Sequence, residues 1–278
     1  LAAPHVTANS DAENPASLID GCRLARARTV VVPHADLDAI DTALDCVTTD
    51  RALVLTEGVY SMGGDVAPVG ELVEIAHRHG ALVVVDDAHG IGTVGPTGRG
   101  ATEELPASQR PDVLLGTASK ALGVEGGFAC VDETLATLMR NCARGYVFSS
   151  APSPVVAAGV AAAVEYLRTD TRRVCSLQAN VAQARLLLAE ADLIPPSAAH
   201  DRGPIIRIPV GPESRAVAAQ EELARRGLMV GAIRYPAVAR GDAILRICLT
   251  ARHTDEHIRI LVTSLREVLD GALSDAPR

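Results

Sequence analysis

Short apolar runs alternate with helical patterns along the first half of the chain. The runs are rich in Val and Leu and lie at Arg28–Val32, Ala52–Thr56 and Ala81–Val85. Between them, apolar residues recur at helical spacing, which predicts helices over Asp36–Leu44 and Pro68–His79. Because the runs are continuous rather than alternating, they predict strands that are covered on both faces, as in a parallel sheet with crossover helices.

The second half of the chain is more helical and ends in a mixed pattern. Two further strands are predicted at Asp112–Gly116 and Gly127–Val131. They are followed by predicted helices at Leu135–Ala143, Pro154–Leu167 and Leu177–Ala191. The last part predicts strands at Pro204–Val210, Leu228–Ala232 and Ala243–Leu249 and helices at Glu213–Arg226 and Asp255–Leu269. A charged run at residues 168–173 separates the patterns, which predicts a large domain over residues 1–170 and a small α+β domain over residues 171–278.

Composition excludes several classes of protein. The chain has 278 residues, of which 48% are hydrophobic and 22% charged, as in a soluble globular protein with a sizeable core. The net charge of -8, without a long basic run, argues against nucleic acid as a partner. The most apolar stretch, Val155–Val164, is about half the ~20 residues of a membrane span. The six cysteines form no C-x-x-C pair, which favours reduced thiols in the cytoplasm over a zinc site or a disulfide framework.

The lysine content is unusual. Of the 26 basic residues, all but Lys120 are Arg. A primary amine condenses with an aldehyde to form an imine, whereas a guanidinium does not. Lys120 follows Thr117 and Ser119 at the end of a predicted strand, with Gly123 and Gly126 close behind. Two hydroxyls before an amine, in a glycine-rich loop, suit a phosphate held near an aldehyde, which favours imine chemistry over a surface lysine retained by chance.

An acidic turn follows another buried strand. The sequence Asp86-Asp87-Ala88-His89-Gly90 comes directly after the run ALVVV. In open α/β sheets, ligands bind beyond the carboxyl ends of the strands, so an acid and an imidazole here are candidates for catalysis. The alternative is an ordinary turn in which an Asp caps the backbone.

Three other motifs are weaker indications of function. Gly90, Gly92 and Gly95 match the dinucleotide fingerprint G-x-G-x-x-G, but Pro96 and further glycines follow, so no helix opens there and a nicotinamide dehydrogenase is a weak alternative. His253 and His257 have metal-ligand spacing, yet the residues between them predict the capped first turn of a helix, so no metal is expected. No serine has the G-x-S-x-G context of a hydrolase.

Taken together and in this order, the motifs resemble those of the α-oxoamine synthases, pyridoxal-phosphate (PLP) enzymes that join an amino acid to an acyl-CoA thioester with loss of carbon dioxide and CoA. The matching stretches are Thr56–Met62, Gly64–Pro68, VDDAHG, TASKALG, Phe148–Ser150 and Leu245–Ile247. The resemblance implies a fold-type-I PLP-dependent transferase, with a mostly parallel large domain and a smaller α+β C-terminal domain. It also implies a homodimer whose subunits share the active sites.

Within this family the chain is most similar to the 8-amino-7-oxononanoate synthases of biotin biosynthesis, which use alanine and a pimeloyl thioester. The similarity lies in SLIDGCRLARA, LVLTEGVYSM and Gly231–Arg234. Tyr235-Pro236 also resembles the glycine-using members, glycine C-acetyltransferase and 5-aminolevulinate synthase. A transaminase, an aldol-type lyase and a non-catalytic remnant of the PLP fold remain as alternatives.

The resemblance implies roles for individual residues. Lys120 would bind PLP covalently and later move the α-proton, which makes it the central catalytic residue. Asp86 would pair with the pyridine nitrogen and keep it protonated, and His89 would hydrogen-bond the phenolic oxygen. Thr117 and Ser119 would contact the phosphate.

Five more residues are implied to line the site. Ser149 or Ser150 would reach the phosphate of the neighbouring subunit. Arg246 would bind the substrate carboxylate, for which a planar guanidinium is suited. Ser61 and Glu57 would line the pocket.

The chain departs from the family pattern in two places. The family has a His directly after the Asn that corresponds to Asn14, and its ring stacks on the cofactor, but this chain has Pro15. Proline offers an apolar face without aromatic stacking or a proton. The family also has an N-terminal segment upstream of Leu1, so we expect the large domain to lack its N-terminal part and to expose apolar surface.

Overall fold

The computed structural model describes residues 1–274 and divides the chain into two compact units. The first unit consists of Leu1–Tyr60 and Ala67–Thr171, and the second consists of Ser61–Val66 and the chain from Arg172 onward. The division after Thr171 falls inside the charged run that separates the two hydrophobic patterns. The short segment Ser61–Val66 belongs to the second unit, which no pattern in the sequence indicated.

A six-stranded sheet in the order β2-β1-β3-β4-β5-β6 forms the centre of the first unit. Its strands are β1 (Val6–Asp11), β2 (Arg28–Val32), β3 (Arg51–Glu57), β4 (Leu82–Asp86), β5 (Val113–Thr117) and β6 (Gly127–Val131). All neighbours pair in parallel except β5 and β6, which pair antiparallel. The mostly parallel sheet predicted from the apolar runs is therefore confirmed, and the carboxyl ends of β1 to β5 share one edge.

The central strands are covered on both faces, as their continuous apolar runs predict. Val54 and Val83 belong to one buried cluster, whereas Leu53 and Val84 belong to another that includes Cys22. Successive residues of a strand point to opposite faces, so a run without polar positions places apolar side chains in both clusters. The edge strands differ: β2 and β6 are largely exposed.

The apolar pattern does not predict β1, although it lies between β2 and β3 and all six of its residues are buried. Its sequence, VTANSD, is mostly polar and resembles no strand run. The polar side chains find distant partners: the Thr7 and Thr49 hydroxyls are 2.8 Å apart, and Asn9 Nδ2 donates to the Leu53 carbonyl at 3.3 Å. These hydrogen bonds allow a polar strand to be buried.

Helices flank the sheet of the first unit. They are α1 (Ala16–Ala25), α2 (Leu37–Asp45), α3 (Val69–Arg78), α4 (Glu133–Cys142), α5 (Arg144–Val147) and α6 (Pro154–Thr169). Helix α2 begins after Asp36, whose side chain accepts the Ala39 N–H, as the pattern predicts for a helix start. Helices α4, α5 and α6 contain no buried residue, although α6 is rich in Val and Ala.

Among residues 1–274, none of the helices combines the length and the apolar character needed to cross a membrane.

The second unit is an α+β structure. Its antiparallel sheet, in the order β7-β9-β8, consists of β7 (Ile205–Gly211), β8 (Gly231–Ile233) and β9 (Ala243–Cys248). Its helices are α7 (Arg172–Glu190), α8 (Glu213–Arg225) and α9 (Asp255–Ser274). Apolar residues of the sheet and the three helices form one buried cluster, which includes Leu188, Ile206, Leu223, Leu245 and Leu265.

One predicted strand of this unit is misplaced. The sequence predicts Leu228–Ala232, but β8 begins only at Gly231. Leu228 still belongs to the turn that ends α8, because its N–H donates to the Leu223 carbonyl at 2.9 Å. Met229 is fully exposed, so the apolar residues of this stretch are not all strand residues.

Arg185 of α7 is a buried cation in the core of the second unit, with only 2% of its surface exposed. Its Nη1 donates to the Ala198 carbonyl at 3.1 Å. Its Nη2 donates to the carbonyls of Gly203 at 3.1 Å and Ile205 at 2.8 Å and lies 3.5 Å from that of Gly64. One side chain therefore links α7 to the start of β7 and to the segment Ser61–Val66.

Candidate active site

Asp86 stands at the carboxyl end of β4, beside β5. It pairs in register with Leu115, and its carbonyl accepts the Gly58 N–H at 2.9 Å. Its half-buried carboxylate accepts the Ala88 N–H at 3.1 Å, which is its only hydrogen bond within the described part of the chain. The backbone is thus held by the neighbouring segments, while the carboxylate keeps acceptor capacity for a ligand.

His89 lies in the same turn as Asp86 and is half-buried. The turn closes where the Gly90 N–H donates to the Asp87 carbonyl at 3.1 Å. The Thr93 hydroxyl donates to the His89 carbonyl at 2.6 Å, which fixes the backbone of His89. The structure therefore brings the acid and the imidazole to one turn at the end of β4.

The glycine-rich stretch after this turn is a loop. Gly92 and Gly95 have positive φ angles of 80° and 84°, and the Gly92 N–H donates to the Gly98 carbonyl at 2.7 Å. No helix begins between residues 90 and 101. The dinucleotide fingerprint therefore lacks the helix N-terminus that would hold a pyrophosphate, as the sequence predicts.

Lys120 lies in a tight loop that follows β5. The Thr117 hydroxyl donates to the Gly126 carbonyl at 3.2 Å and lies 2.8 Å from the Ser119 hydroxyl. The Ala118 N–H also donates to the Gly126 carbonyl at 2.9 Å, and Gly126 has a φ of 115°. The loop thus holds two hydroxyls against each other and leaves Ser119 and Lys120 exposed.

Glu57 and the two serines lie elsewhere in the first unit. Glu57 ends β3 and pairs in register with Asp86, and its side chain is buried. Ser149 and Ser150 are exposed residues that follow α5, and the Ser149 hydroxyl donates to the Gly145 carbonyl. Glu57 therefore joins the strand-end residues, whereas the serines stand apart on a segment without buried residues.

A buried carboxylate organises the end of β1, and no motif in the sequence indicated it. The Asp11 carboxylate lies 3.0 Å from His34 Nδ1 and accepts the Tyr60 hydroxyl at 2.8 Å. It also accepts the N–H groups of Glu13 and Ala35, each at 2.8 Å. Burial raises the pKa of Asp11, but these hydrogen bonds outweigh it, so the pKa lies below its ordinary value.

Pro15 follows this carboxylate and is the N-cap of α1. The preceding Asn14 is buried, and its Nδ2 donates to the Ser10 hydroxyl at 2.9 Å and to the Leu55 carbonyl at 2.8 Å. Pro15 is half-buried and makes no side-chain capping hydrogen bond. The position at which the resembled family has His therefore lies at the same sheet edge as the end of β3.

Arg246 and Ser61 meet within the second unit. Arg246 lies on β9, and its Nε donates to the Ser61 carbonyl at 2.7 Å. Its Nη1 contacts Cys248 Sγ at 3.0 Å, and its Nη2 makes no hydrogen bond to residues 1–274. The Ser61 carbonyl thus orients the guanidinium and leaves donor capacity for a carboxylate. The sequence predicted both residues but not this contact.

His253 and His257 act as local acceptors at the start of α9. The Nδ1 of His253 accepts the Thr250 N–H at 3.1 Å, and the Nδ1 of His257 accepts the Thr254 N–H at 3.2 Å. Burial lowers the pKa of His253, and the charge of His257 lowers it further. Both rings stabilise the helix start, in line with the capped first turn that the sequence predicts.

Asp87 is a residue of the strand-end turn to which the sequence analysis assigned no role. It follows Asp86 directly and is fully buried. Gly58, Gly90 and Gly100 surround its carboxyl group. The signal was present as two adjacent acids close to several glycines, but only the tertiary structure shows that the glycines enclose the second acid.

A mostly parallel α/β sheet with an acid, an imidazole, hydroxyls and a lysine at its strand ends is typical of transferases of the aminotransferase-like fold. The chain belongs to the aminotransferase class I and II family, whose model matches residues 7–265.

Several known proteins are similar to this chain. It is 99% identical over 278 residues to the "Biotin biosynthesis bifunctional protein BioWF" of Cutibacterium acnes (strain DSM 16379 / KPA171202) and covers 43% of that protein. It is 43% identical to the "Putative 8-amino-7-oxononanoate synthase" of Desulfovibrio desulfuricans (strain ATCC 27774 / DSM 6949 / MB), with 94% of this chain and 67% of the relative covered.

A solved structure shows the same fold. The serine palmitoyltransferase of Sphingomonas wittichii has a TM-score of 0.91 and 31% sequence identity, over 99% of this chain and 69% of that protein. The chain thus spans less than half of the bifunctional relative and about two thirds of the other two proteins.

Proposed function

We propose that the chain is the PLP-binding part of an α-oxoamine synthase of the 8-amino-7-oxononanoate synthase type, in biotin biosynthesis. It would condense an amino acid, L-alanine, with an acyl-CoA thioester and release carbon dioxide and CoA to give a 2-amino ketone. The observation that carries the proposal is the placement of the only lysine, an acid, an imidazole and two hydroxyls at the ends of the adjacent strands β4 and β5. The similarity to two proteins named for this pathway supports it.

The residues present fit PLP as a cofactor, because each part of PLP has a matching group. The Asp86 carboxylate would hold the pyridine nitrogen, and His89 would donate to the phenolic oxygen. Thr117 and Ser119 would donate to the phosphate, and the exposed Lys120 amine would reach the aldehyde. When bound, PLP supplies an electron sink next to the α-carbon of the amino acid.

The protein side chains then do the remaining chemistry. Lys120 Nζ would take and return the α-proton, because the lone pair of an unprotonated amine accepts a proton. Asp86 would keep the ring nitrogen protonated by accepting its N–H. Arg246 would orient the substrate carboxylate with its Nη1 and Nη2 edge, while the Ser61 carbonyl holds Nε.

Exposed apolar residues of α5, of α6 and of the segment between them support a homodimer with shared active sites. Tyr146, Phe148 and Val155 have 68%, 76% and 81% of their surfaces exposed. Several large apolar side chains exposed close together along the chain favour an interaction site. A second copy of the chain would cover it and bring Ser149 or Ser150 to the phosphate of its neighbour.

The state of the cysteines supports a cytoplasmic location. All six lie within residues 1–274, and none of them forms a disulfide. Free thiols persist in reducing compartments, so we infer that the protein works in the cytoplasm.

Replacing Pro15 by His is expected to strengthen PLP binding about three- to tenfold, because an aromatic ring stacked on the cofactor contributes ~0.5–1.5 kcal/mol. An absorbance titration of the purified protein with PLP measures the affinity. Pro15→Ala is the matched control, since it removes the same ring without adding an aromatic one. Equal affinities for the His and Ala variants would show that this position does not face the cofactor.

Release of free CoA tests the reaction itself. With PLP, L-alanine and the pimeloyl thioester of CoA, we expect one CoA thiol to appear for each 2-amino ketone formed, measured with a thiol reagent, and no release without the amino acid. Faster release with glycine and acetyl-CoA would favour the glycine-using members. Amino transfer without thiol release would indicate a transaminase, and PLP binding without any turnover would indicate a non-catalytic protein, the alternative that Pro15 favours.

A further inference from the structure

The carboxyl group of Asp87 is enclosed by backbone. No part of the residue is exposed, and its N–H donates to the Leu115 carbonyl at 2.9 Å, which extends the pairing of β4 with β5 by one residue. Its Oδ2 accepts the Ala101 N–H at 2.9 Å. The side chain therefore ties the Asp86–His89 turn to the far end of the glycine-rich loop.

Three glycines make room for this carboxyl group. A Cβ atom on Gly58 or Gly90 would lie 2.1 or 2.0 Å from Asp87 Oδ1, and one on Gly100 would lie 1.9 Å from Oδ2. These distances are far inside van der Waals contact, so none of the three positions tolerates a side chain while Asp87 keeps its place. The end of β3, the turn and the loop thus all pack directly against Asp87.

The hydrogen bonds of Asp87 suit a neutral acid. Oδ1 is buried and makes no hydrogen bond of normal geometry to residues 1–274. Burying a carboxylate with one good donor costs more free energy than burying a protonated carboxyl group in the same place. Burial raises the pKa of Asp87 to about 7; the N–H groups of Ala101 and Gly90 oppose this rise, and the charge of Asp86 adds to it.

The other charged and titratable groups near Asp87 are few. The segments packed against it carry Asp86, His89, Glu57, Arg99, Glu103 and Glu104. Glu103 is engaged by the Thr97 hydroxyl and by the N–H groups of Thr97 and Arg99. Among the charges, that of Asp86 is the one that disfavours ionisation of Asp87.

We propose that Asp87 is a positioning residue that, as a neutral carboxylic acid, holds the Asp86–His89 turn in place and so keeps the Asp86 carboxylate where a ligand can bind it. A carboxyl group that is enclosed by backbone and lies next to a second acid favours its protonated form. The inference about Asp86 rests on the proposed function, in which this carboxylate holds the ring nitrogen. The protonation of Asp87 itself does not depend on it.

The pH dependence of unfolding tests the protonation state without cofactor or substrate. The unfolded chain releases this proton near pH 4 and the folded chain near pH 7, so stability contributed by Asp87 is lost as pH rises through this window. Its contribution raises the unfolding equilibrium constant up to about tenfold per pH unit. Asp87→Asn is expected to remove this slope and to exceed the wild type in stability at pH 8, as measured by urea unfolding between pH 5 and 8.

Asp20→Asn is the matched control, because Asp20 is exposed and its loss should leave the slope unchanged. If the free energy of unfolding depends on pH in the same way for the wild type and Asp87→Asn, the proposal is overturned. If Asp87→Asn does not fold, the carbon-13 shift of the Asp87 carboxyl group in the wild type decides the question. Titration near pH 7 supports the proposal, and titration near pH 4 overturns it.

PLP affinity tests the positioning role through rescue by the conservative variant. Asp87→Ala removes the contact with the Ala101 N–H and is expected to weaken PLP binding about tenfold or more. Asp87→Asn, neutral and of equal size, is expected to stay within about threefold of the wild type. Equal weakening in both variants would overturn the positioning role of a neutral acid. If the wild type binds no PLP, the proposed function fails, whereas the unfolding result still decides the state of Asp87.

Discussion

Lys120→Ala is expected to abolish covalent attachment of PLP and to lower amino acid-dependent CoA release by about 10³-fold or more. The physical reason is that the variant loses both the amine that bonds to the aldehyde and the base that moves the α-proton. After incubation with PLP and reduction with borohydride, peptide mass spectrometry should find one label on the wild type, at Lys120, and none on the variant.

Lys120→Arg is the matched control for this prediction. It keeps a positive charge at the same exposed position, but a guanidinium does not form the bond. Both variants should unfold within about 0.5 kcal/mol of the wild type, because substitutions of exposed loop residues change stability little. Undiminished labelling of Lys120→Ala would place the bond on another amine and would contradict the proposed role of Lys120.

Arg185→Met is expected to lower the free energy of unfolding by ~3–5 kcal/mol, as is usual when one partner of a buried charged network is removed. Met fills a similar volume but leaves the carbonyls of Ala198, Gly203 and Ile205 without their donor. Burial lowers the pKa of the guanidinium, and the charges of Asp201 and Asp65 raise it. Urea denaturation monitored by circular dichroism measures the loss.

Arg225→Met provides the comparison for Arg185. The Arg225 side chain is 74% exposed and pairs with Glu222 at 2.9 Å, an arrangement that contributes little in water. Its replacement should change the stability by less than about 1 kcal/mol. If both variants lose a similar free energy of unfolding, the buried hydrogen bonds of Arg185 contribute no more to stability than an exposed ion pair.

The main features of the first unit could be predicted from local sequence. Continuous Val and Leu runs indicate buried parallel strands, since the side-chain period of a strand is two and both faces carry apolar residues. For the same reason β1 could not be predicted: it carries the buried polar residue Asn9, whose amide donates to the Leu53 carbonyl. That partner lies on another strand and leaves no trace in the local pattern.

The candidate site divides in the same way. The reactive groups could be predicted from the sequence, because they depend on residue type alone. Composition singles out one Lys after Thr117 and Ser119, and a motif indicates an acid four residues before Gly90. Contacts with residues far away in the sequence could not be predicted. The hydrogen bond from Arg246 to the Ser61 carbonyl joins positions 185 residues apart. The carboxyl group of Asp87 likewise packs against Gly58 and Gly100, which are far apart in the sequence.

The amino-acid sequence alone determined the class of sheet, the order of its main elements and the reactive groups at its strand ends, because periodicity and side-chain chemistry are local properties. The tertiary structure decided which buried polar groups form hydrogen bonds and which residues are their partners. Asp11, Arg185 and Asp87 each depend on backbone groups from separate segments, and only the folded chain brings those groups within hydrogen-bond distance while excluding water.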